Sequence, residues 1–202
     1  FDVTAGSDVK VWWKCDKGDD HEWQAVIKSQ MVSGCPICTN RKIVNSNSLH
    51  KTHPDLAKEW HPTKNGKLTP LNCGSGSNKK IWWKCHKGED HEWRVSPTSR
   101  VFSNSNCPFC SNSKLSITNS LEARFPKIAK EWHPTRNGKI KPMDIMPGTN
   151  KKKWWKCLKN NRHEWEAIPN DRTSKGQGCP YCTLTPQSRQ ELIITFELKT
   201  IF

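Results

Sequence analysis

The sequence is short of aliphatic side chains and has no long apolar run. Leu, Ile, Val and Phe together make up less than a fifth of the 202 residues, and Tyr occurs once. So few aliphatic residues cannot fill one large enzyme core, and such a composition with a high net charge normally indicates disorder. No apolar stretch approaches the roughly 18 residues of a membrane-spanning helix, which argues against a membrane protein.

Acidic residues are also in short supply. Lys and Arg number 33 against 19 Asp and Glu, which gives a formal net charge of +14. An excess of this size indicates an anionic partner such as nucleic acid.

Eleven Trp and ten Cys are abundant instead, and they fall into an internal repeat. Each copy contains Trp-Trp-Lys-Cys, then His-Glu-Trp, then Cys-Pro-x-Cys, and the copies begin at Trp12, Trp82 and Trp154. All eleven Trp and nine of the ten Cys occupy repeat-equivalent positions, whereas Cys73 stands alone. Three small modules are therefore predicted in place of one large core.

The segments between the copies repeat as well. Asn47-Ser48-Leu49 and Glu59-Trp60-His61-Pro62-Thr63 return in the next connector, and each connector continues through an Asn-Gly pair to a Pro. The start of the chain, Phe1–Lys10, aligns with the stretch after that Pro. We therefore expect the parent chain to continue upstream. The predicted division is an N-terminally truncated repeat 1 over 1–45, connector and repeat 2 over 46–115, connector and repeat 3 over 116–184, and a C-terminal helix over 185–202.

Short strands and helices are predicted within each module. Strands are expected over Lys10–Lys14 and Glu22–Ile27, Lys80–Lys84 and Glu92–Ser96, and Lys152–Lys156 and Glu164–Ile168. Short connector helices are expected within Leu49–Trp60 and Pro126–Trp132, and an amphipathic helix over Gln187–Phe202. The predicted fold class is three tandem small α+β modules with short β-hairpins, short connector helices and a C-terminal amphipathic helix.

Each copy offers three Cys and one His with the spacing of a metal site. Three thiolates and an imidazole suit tetrahedral Zn²⁺ in a closed structural site, so three zinc ions are predicted. The alternatives are disulfides, iron–sulfur clusters, or an open catalytic zinc with three protein ligands and a water. The predicted ligands are Cys15, His21, Cys35 and Cys38; Cys85, His91, Cys107 and Cys110; and Cys157, His163, Cys179 and Cys182.

Zinc binding explains how a chain whose composition is typical of disorder can form folded modules. In small metal domains the free energy of ion binding becomes free energy of folding. Nine thiolates and three Zn²⁺ lower the formal net charge from +14 only to +11. The free thiols that such sites need predict an intracellular, reducing compartment.

These motifs resemble the zinc-ribbon, or treble-clef zinc finger, family of tandem repeats from prokaryotic and large-virus proteins. The resemblance covers about residues 1–183 and rests on the Trp-Trp-Lys-Cys, His-Glu-Trp, Cys-Pro-x-Cys and Glu-Trp-His-Pro-Thr-x-Asn-Gly motifs. Members of the family are sometimes joined to nuclease domains of the very-short-patch-repair or restriction type. Ser188–Phe202 resembles the helix that opens such a domain, which implies an effector domain in the same parent chain.

Basic residues recur before each Trp pair, around the Asn-Gly turns, and between the ligand pairs. On a rigid zinc scaffold this pattern is typical of nucleic-acid binding, with duplex DNA as the first candidate partner. Arg100 and Arg172, between the ligand pairs, are expected to project most freely and to reach base edges. The full set of candidate contacts is Lys64, Lys67, Lys79, Lys80, Arg94, Arg100, Arg136, Lys139, Lys151, Lys152, Lys153, Arg172 and Lys175.

Two further functions remain open at this point. The chain is the front of a nuclease if a catalytic domain follows, although no set of acid, base and metal can be assembled from these residues. A protein-interaction scaffold is the other possibility, because one Trp of each adjacent pair must face away from the core. Most Trp are nevertheless expected to cover the zinc sites as core residues.

Overall fold

The computed structural model describes residues 3–183, and the chain divides into two compact units between Ser111 and Asn112. The first unit holds two β-hairpins and the second holds one. The predicted amphipathic helix over Gln187–Phe202 lies outside the described residues. Within the described range no helix is long and apolar enough to cross a bilayer.

Each Trp-Trp-Lys motif lies in the first strand of a two-stranded antiparallel hairpin. The pairs are β1 (Lys10–Lys14) with β2 (Glu22–Val26), β3 (Ile81–Lys84) with β4 (Glu92–Val95), and β5 (Lys153–Lys156) with β6 (Glu164–Ala167). The second Trp of each pair lies opposite the Trp of His-Glu-Trp, as Trp83 lies opposite Trp93. The predicted strands are confirmed to within one residue at each end.

Seven short α-helices and one short 3₁₀ helix, Pro142–Asp144, complete the described part of the chain. They are α1 (Ile27–Ser33), α2 (Leu49–Thr52), α3 (Pro54–Lys58), α4 (Pro97–Phe102), α5 (Leu121–Arg124), α6 (Pro126–Ala129) and α7 (Pro169–Ser174). The helices α1, α4 and α7 follow the second strand of each hairpin and were not predicted. Ser96 caps α4 by accepting from the Ser99 N–H, and Pro97 supplies its first turn.

The connectors contain two helices each, where one was predicted. Pro54 separates α2 from α3, because a proline disfavours helical geometry at the residue before it. That residue, His53, takes φ −141° and ψ 67°. Phe125 does the same before Pro126. The serines Ser48 and Ser120 cap the first helix of each connector.

Each connector packs on the hairpin that follows it and forms one core with it. In the first unit Leu49 of the connector is buried with Ile81, Trp83 and Trp93 of the hairpin. Trp60 meets Trp83 edge-on, with ring centroids 5.7 Å apart, a favoured aromatic geometry. In the second unit Leu121, Trp155 and Trp165 form the equivalent core. The predicted core role of most Trp is confirmed.

The Asn-Gly turn fastens the connector to the edge of the hairpin. The Asn65 side chain accepts from the Trp82 backbone N–H at 2.8 Å and donates to the Trp82 carbonyl at 2.9 Å. Asn137 makes the same two bonds to Trp154. A single amide thus satisfies both backbone groups that a neighbouring strand would otherwise pair.

We expect Asn65→Asp to destabilise the second repeat by about 1–3 kcal/mol. The carboxylate keeps the acceptor for the Trp82 N–H but places an oxygen against the Trp82 carbonyl. Urea unfolding followed by Trp fluorescence at saturating zinc measures the loss. Asn78→Asp, at an exposed loop position, is the matched control. Equal effects of the two changes would contradict the fastening role.

Within residues 3–183 no connector covers the hairpin of the first repeat, and its Trp pair is more exposed. Trp12 is 69% exposed and Trp13 is half-buried, whereas Trp83 and Trp155 are fully buried. Trp23, Ile27 and Ile37 supply the buried apolar residues of this repeat. The expected alternation within each Trp pair is confirmed in the described hairpins.

Candidate metal centres

The three Cys and one His of each copy converge on one point. In every set the four ligand atoms lie within 4.8 Å of one another. In the second repeat Cys85 Sγ lies 3.7 Å from Cys110 Sγ, and His91 Nδ1 lies 3.7 and 3.6 Å from the thiols of Cys107 and Cys110. The predicted ligands are therefore brought together as three clusters.

Two turns position each cluster. The first lies at the end of the hairpin, where the Cys85 N–H donates to the His91 carbonyl at 3.0 Å and the His91 N–H donates to the Gly88 carbonyl at 3.2 Å. A Cβ added at Gly88 would lie 2.5 Å from His91 Cδ2, so this turn favours glycine while the ring stays in place. The second turn is Cys-Pro-x-Cys, where the Ser111 N–H donates to the Cys107 carbonyl.

The distances fit a tetrahedral zinc ion. Ligands about 2.3 Å (sulfur) and 2.0 Å (nitrogen) from Zn²⁺ in a tetrahedron are separated by about 3.5–3.8 Å. The corresponding separations are 3.4–3.8 Å in the first repeat and 3.5–3.6 Å in the third. In all three repeats Nδ1 is the imidazole nitrogen that faces the thiols. Four protein ligands per site leave no coordination position for a water.

The pKa values of the clustered thiols indicate that each site needs a cation. Desolvation and the neighbouring thiols raise the pKa of Cys38 to about 11 and that of Cys110 to about 12. Hydrogen bonding to Cys157, with desolvation, raises the pKa of Cys182 to about 11. Three crowded thiols do not all ionise unless positive charge lies among them, and a divalent ion supplies that charge.

The remaining imidazole nitrogen faces outward toward polar groups that orient the ring. His21 Nε2 lies 3.3 Å from Ser46 Oγ and 3.9 Å from the Asp20 carboxylate. The Ser46 N–H donates to that carboxylate. Hydrogen bonding from the Ser46 side chain and then from this N–H lowers the pKa of Asp20. Asp90 stands in the same place beside His91. Such outer partners fix the orientation of a metal-binding histidine.

A family model described as a probable treble clef zinc finger domain matches the chain three times, over residues 1–41, 56–113 and 128–185. These matches cover most of the chain. The chain belongs to this family. No curated protein matches it. The donor sets and the family together make these three treble-clef repeats with Cys₃His sites suited to zinc, and the zinc prediction is confirmed at that level.

Arg100 and Arg172 were expected to project from the treble-clef repeats, and that expectation is wrong. They are only 5% and 3% exposed. The Arg100 guanidinium lies 4.6 Å from the Trp83 ring centroid and 5.2 Å from that of Trp93, and it pairs with Glu59 at 2.7 Å. Arg172 repeats the arrangement with Trp155, Trp165 and Glu131. Both arginines lock a connector onto its hairpin, so neither is available to a base edge.

The other predicted basic residues lie at the surface of the treble-clef repeats. Lys64 Nζ sits 5.0 Å from the Trp82 ring centroid, and Arg136 lies 4.3 Å from that of Trp154. Lys175 pairs with Asp171 at 2.8 Å. Lys153 is half-buried, and the remainder are exposed: Lys67, Lys79, Lys80, Arg94, Lys139, Lys151 and Lys152.

Sequence reasoning missed the role of two connector histidines. His61 Nδ1 accepts from the backbone N–H of Thr63 and Lys64, and its Nε2 faces the Glu92 carboxylate at 3.2 Å. Glu92 also pairs with Lys64 and Lys84, and these partners lower its pKa to about 2. His133 and Glu164 form the same contact at 3.1 Å. The recurrence of both residues in the two later copies was the available signal.

Cys73 lies apart from the metal ligands of its repeat. It is buried, its carbonyl accepts from the Leu49 N–H at 2.7 Å, and burial raises the pKa of its thiol. Ile145 holds the same backbone position against Leu121. Cys73 therefore fills an apolar core position.

Proposed function

We propose that the chain is a nucleic-acid-binding array of treble-clef repeats, with duplex DNA as the first candidate ligand. In this proposal it acts as the targeting module of a larger protein that carries an effector domain. The supporting observation is that exposed cations recur beside the first Trp of the pair, next to Trp82 in the second repeat and next to Trp154 in the third. A phosphate backbone presents charge at regular intervals, and a repeated basic surface matches such a ligand.

The zinc scaffold supports this proposal by holding the cations in place. Lys79 and Lys80 precede β3, and Lys151, Lys152 and Lys153 precede or open β5, so both groups are anchored to a hairpin whose far end carries metal ligands. Lys64 and Arg136 are held against Trp rings by cation–π contacts. Cations fixed in this way lose less conformational entropy when they bind a phosphate.

We assign binding, and not catalysis, to the described residues. Each Cys₃His set fills the tetrahedral positions of its zinc, so no metal-bound water is available as a nucleophile. A nuclease activity, if the parent chain has one, falls to a further domain. A protein-interaction scaffold is the second candidate, because Trp12 is 69% exposed. Salt dependence separates the two candidates, since phosphate contacts release counterions.

We expect the zinc-loaded chain to bind a 20-base-pair duplex with a steep dependence on salt. If roughly six phosphates are neutralised, log affinity should fall against log salt with a slope of about −5. Fluorescence anisotropy at several salt concentrations, with duplex DNA, single-stranded DNA and RNA of matched sequence, measures this slope and ranks the ligands. Salt-independent binding, or no binding to any of the three, would overturn the proposal.

Changing Lys151, Lys152 and Lys153 to Gln should weaken binding to every duplex sequence and flatten the salt slope by about 2 to 3. Backbone contacts carry affinity without sequence preference. The matched control changes Lys114, Lys127 and Lys130 to Gln, which removes the same charge from exposed positions elsewhere. Equal losses in the two triple variants would show that net charge alone matters.

A further inference from the structure

The three hairpins differ at one outward position that lies directly across from the first Trp of each pair. Trp12 is paired with Gln24, Trp82 with Arg94, and Trp154 with Glu166. All three partners are exposed. Elsewhere on this outer face the hairpins keep the same charges: Lys10, Lys80 and Lys152; Lys14, Lys84 and Lys156; and Glu22, Glu92 and Glu164. The repeats therefore present a neutral, a positive and a negative side chain at one equivalent point.

In the second repeat this position completes a basic groove. The groove has a volume of about 480 Å³ and lies between the Asn-Gly turn and the outer face of the hairpin. The Arg94 Nε–H donates to the Lys80 carbonyl at 3.4 Å, which holds the guanidinium at the groove wall. The lining includes no carboxylate, although one of its cations, Lys64, pairs with Glu92 outside the lining. Besides Trp82, the polar and charged members of the lining are Lys64, Asn65, Lys67, Asn72, Lys79, Lys80 and Arg94.

The third repeat carries two acids at the equivalent positions. Glu166 replaces Arg94, and Asp144 replaces Asn72. The cations are retained, since Arg136, Lys139, Lys151 and Lys152 match those of the second repeat and Lys153 replaces Ile81. Both acids are exposed, so each repels a phosphate approaching the same face. The two repeats thus share a framework but differ by two carboxylates where an anion would bind.

We propose that the second repeat is the anchor of the array, and that its groove takes consecutive phosphates of the nucleic-acid backbone. This inference rests on the proposed function and assigns it to one site. Arg94 is the deciding residue, because a guanidinium makes two parallel hydrogen bonds to a phosphate where a lysine makes a point contact. Glu166 repels a phosphate at the equivalent position, so the third repeat makes a weaker, secondary contact with the nucleic acid.

The test exchanges residues that the repeats themselves carry, so each side chain is already compatible with this hairpin position. For a 20-base-pair duplex at constant salt, Arg94→Gln should weaken binding about threefold and Arg94→Glu about tenfold or more. Glu166→Arg should strengthen binding about fivefold. The double exchange Arg94→Glu with Glu166→Arg should bind nearly as well as the parent chain, because the anchor moves to the third repeat.

Two controls change charge by the same amount outside the groove. Lys127→Glu matches Arg94→Glu, and Glu122→Arg matches Glu166→Arg; both positions are exposed on the connector of the third repeat. Zinc content and circular dichroism establish that every variant is folded. We expect less than a twofold change in both controls.

The outcomes separate this inference from the proposed function. If groove and control variants shift affinity equally while the parent chain binds with a steep salt slope, the anchor is overturned and nucleic-acid binding stands. If the parent chain binds no nucleic acid at any salt concentration, the proposed function fails and the anchor fails with it. The anchor is supported if duplex affinity falls in the order Arg, Gln, Glu at position 94 while the control variants change little.

Discussion

Replacing Cys107 with Ser should lower the zinc content from three ions to two and unfold the second treble-clef repeat. Cys107 is a zinc ligand and is also buried in the apolar core with Leu49 and Trp93. A structural zinc site in a small module contributes about 10–16 kcal/mol of apparent binding free energy, and much of it is lost with one thiolate. Few aliphatic contacts remain to hold the repeat.

Metal analysis and Trp fluorescence measure the two effects of Cys107→Ser. The third repeat should keep its zinc, because it lies in a separate compact unit with its own core. Cys73→Ser is the matched control, since Cys73 is equally buried but lies outside every ligand cluster, and it should retain three ions. Three zinc ions and an intact fold in Cys107→Ser would contradict the closed-site assignment.

Glu59→Gln should destabilise the second repeat by about 3 kcal/mol, as expected when one partner of a buried ion pair is removed. The Arg100 guanidinium is almost fully buried, and its Nε and Nη1 have no hydrogen-bond acceptor in the described part of the chain. Once Glu59 is neutral, only the faces of Trp83 and Trp93 offset the buried charge. The cation–π contribution of a desolvated ring face is about 2 kcal/mol, which is less than the cost of an unpaired buried charge.

The first repeat indicates how this loss can be reversed. Gln30 occupies the position equivalent to Arg100, and it accepts from the Trp23 indole N–H at 3.2 Å. Adding Arg100→Gln to Glu59→Gln should therefore recover at least half of the stability, since a neutral side chain needs no carboxylate. Urea unfolding at fixed free zinc gives the four free energies of this cycle. Glu122→Gln, on the surface, is the control, and additive losses would contradict the buried-pair account.

Residues that act within one short motif could be predicted from the sequence. The Cys and His spacing gave the zinc ligands, because each ligand pair closes a local turn. The alternation of Trp82 and Trp83 followed from strand geometry alone. The predicted strand limits were correct to within one residue because turn residues flank each strand.

Contacts between a connector and its hairpin could not be predicted from local patterns. Arg100 meets Glu59 across 41 residues, and a basic residue between ligand pairs looks the same in sequence whether it is buried or exposed. His61 meets Glu92 in the same way, across the connector and both strands. The short helices after each hairpin carry too few residues for a periodic apolar pattern. Only packing against the Trp core decides these features.

Each connector precedes the hairpin on which it packs, and this order has a consequence for synthesis. The ribosome releases Leu49 and Trp60 before it makes Trp83. These apolar residues therefore stay exposed to solvent until the hairpin that covers them has been synthesised. The second repeat cannot complete its metal site until Cys110 has left the ribosome, because Cys110 is the last of its four ligands. The ligand sets are complete at Cys38, Cys110 and Cys182 in turn. Zinc is therefore captured in sequence from the N-terminal repeat onward, and its supply during translation sets when each later repeat becomes protected.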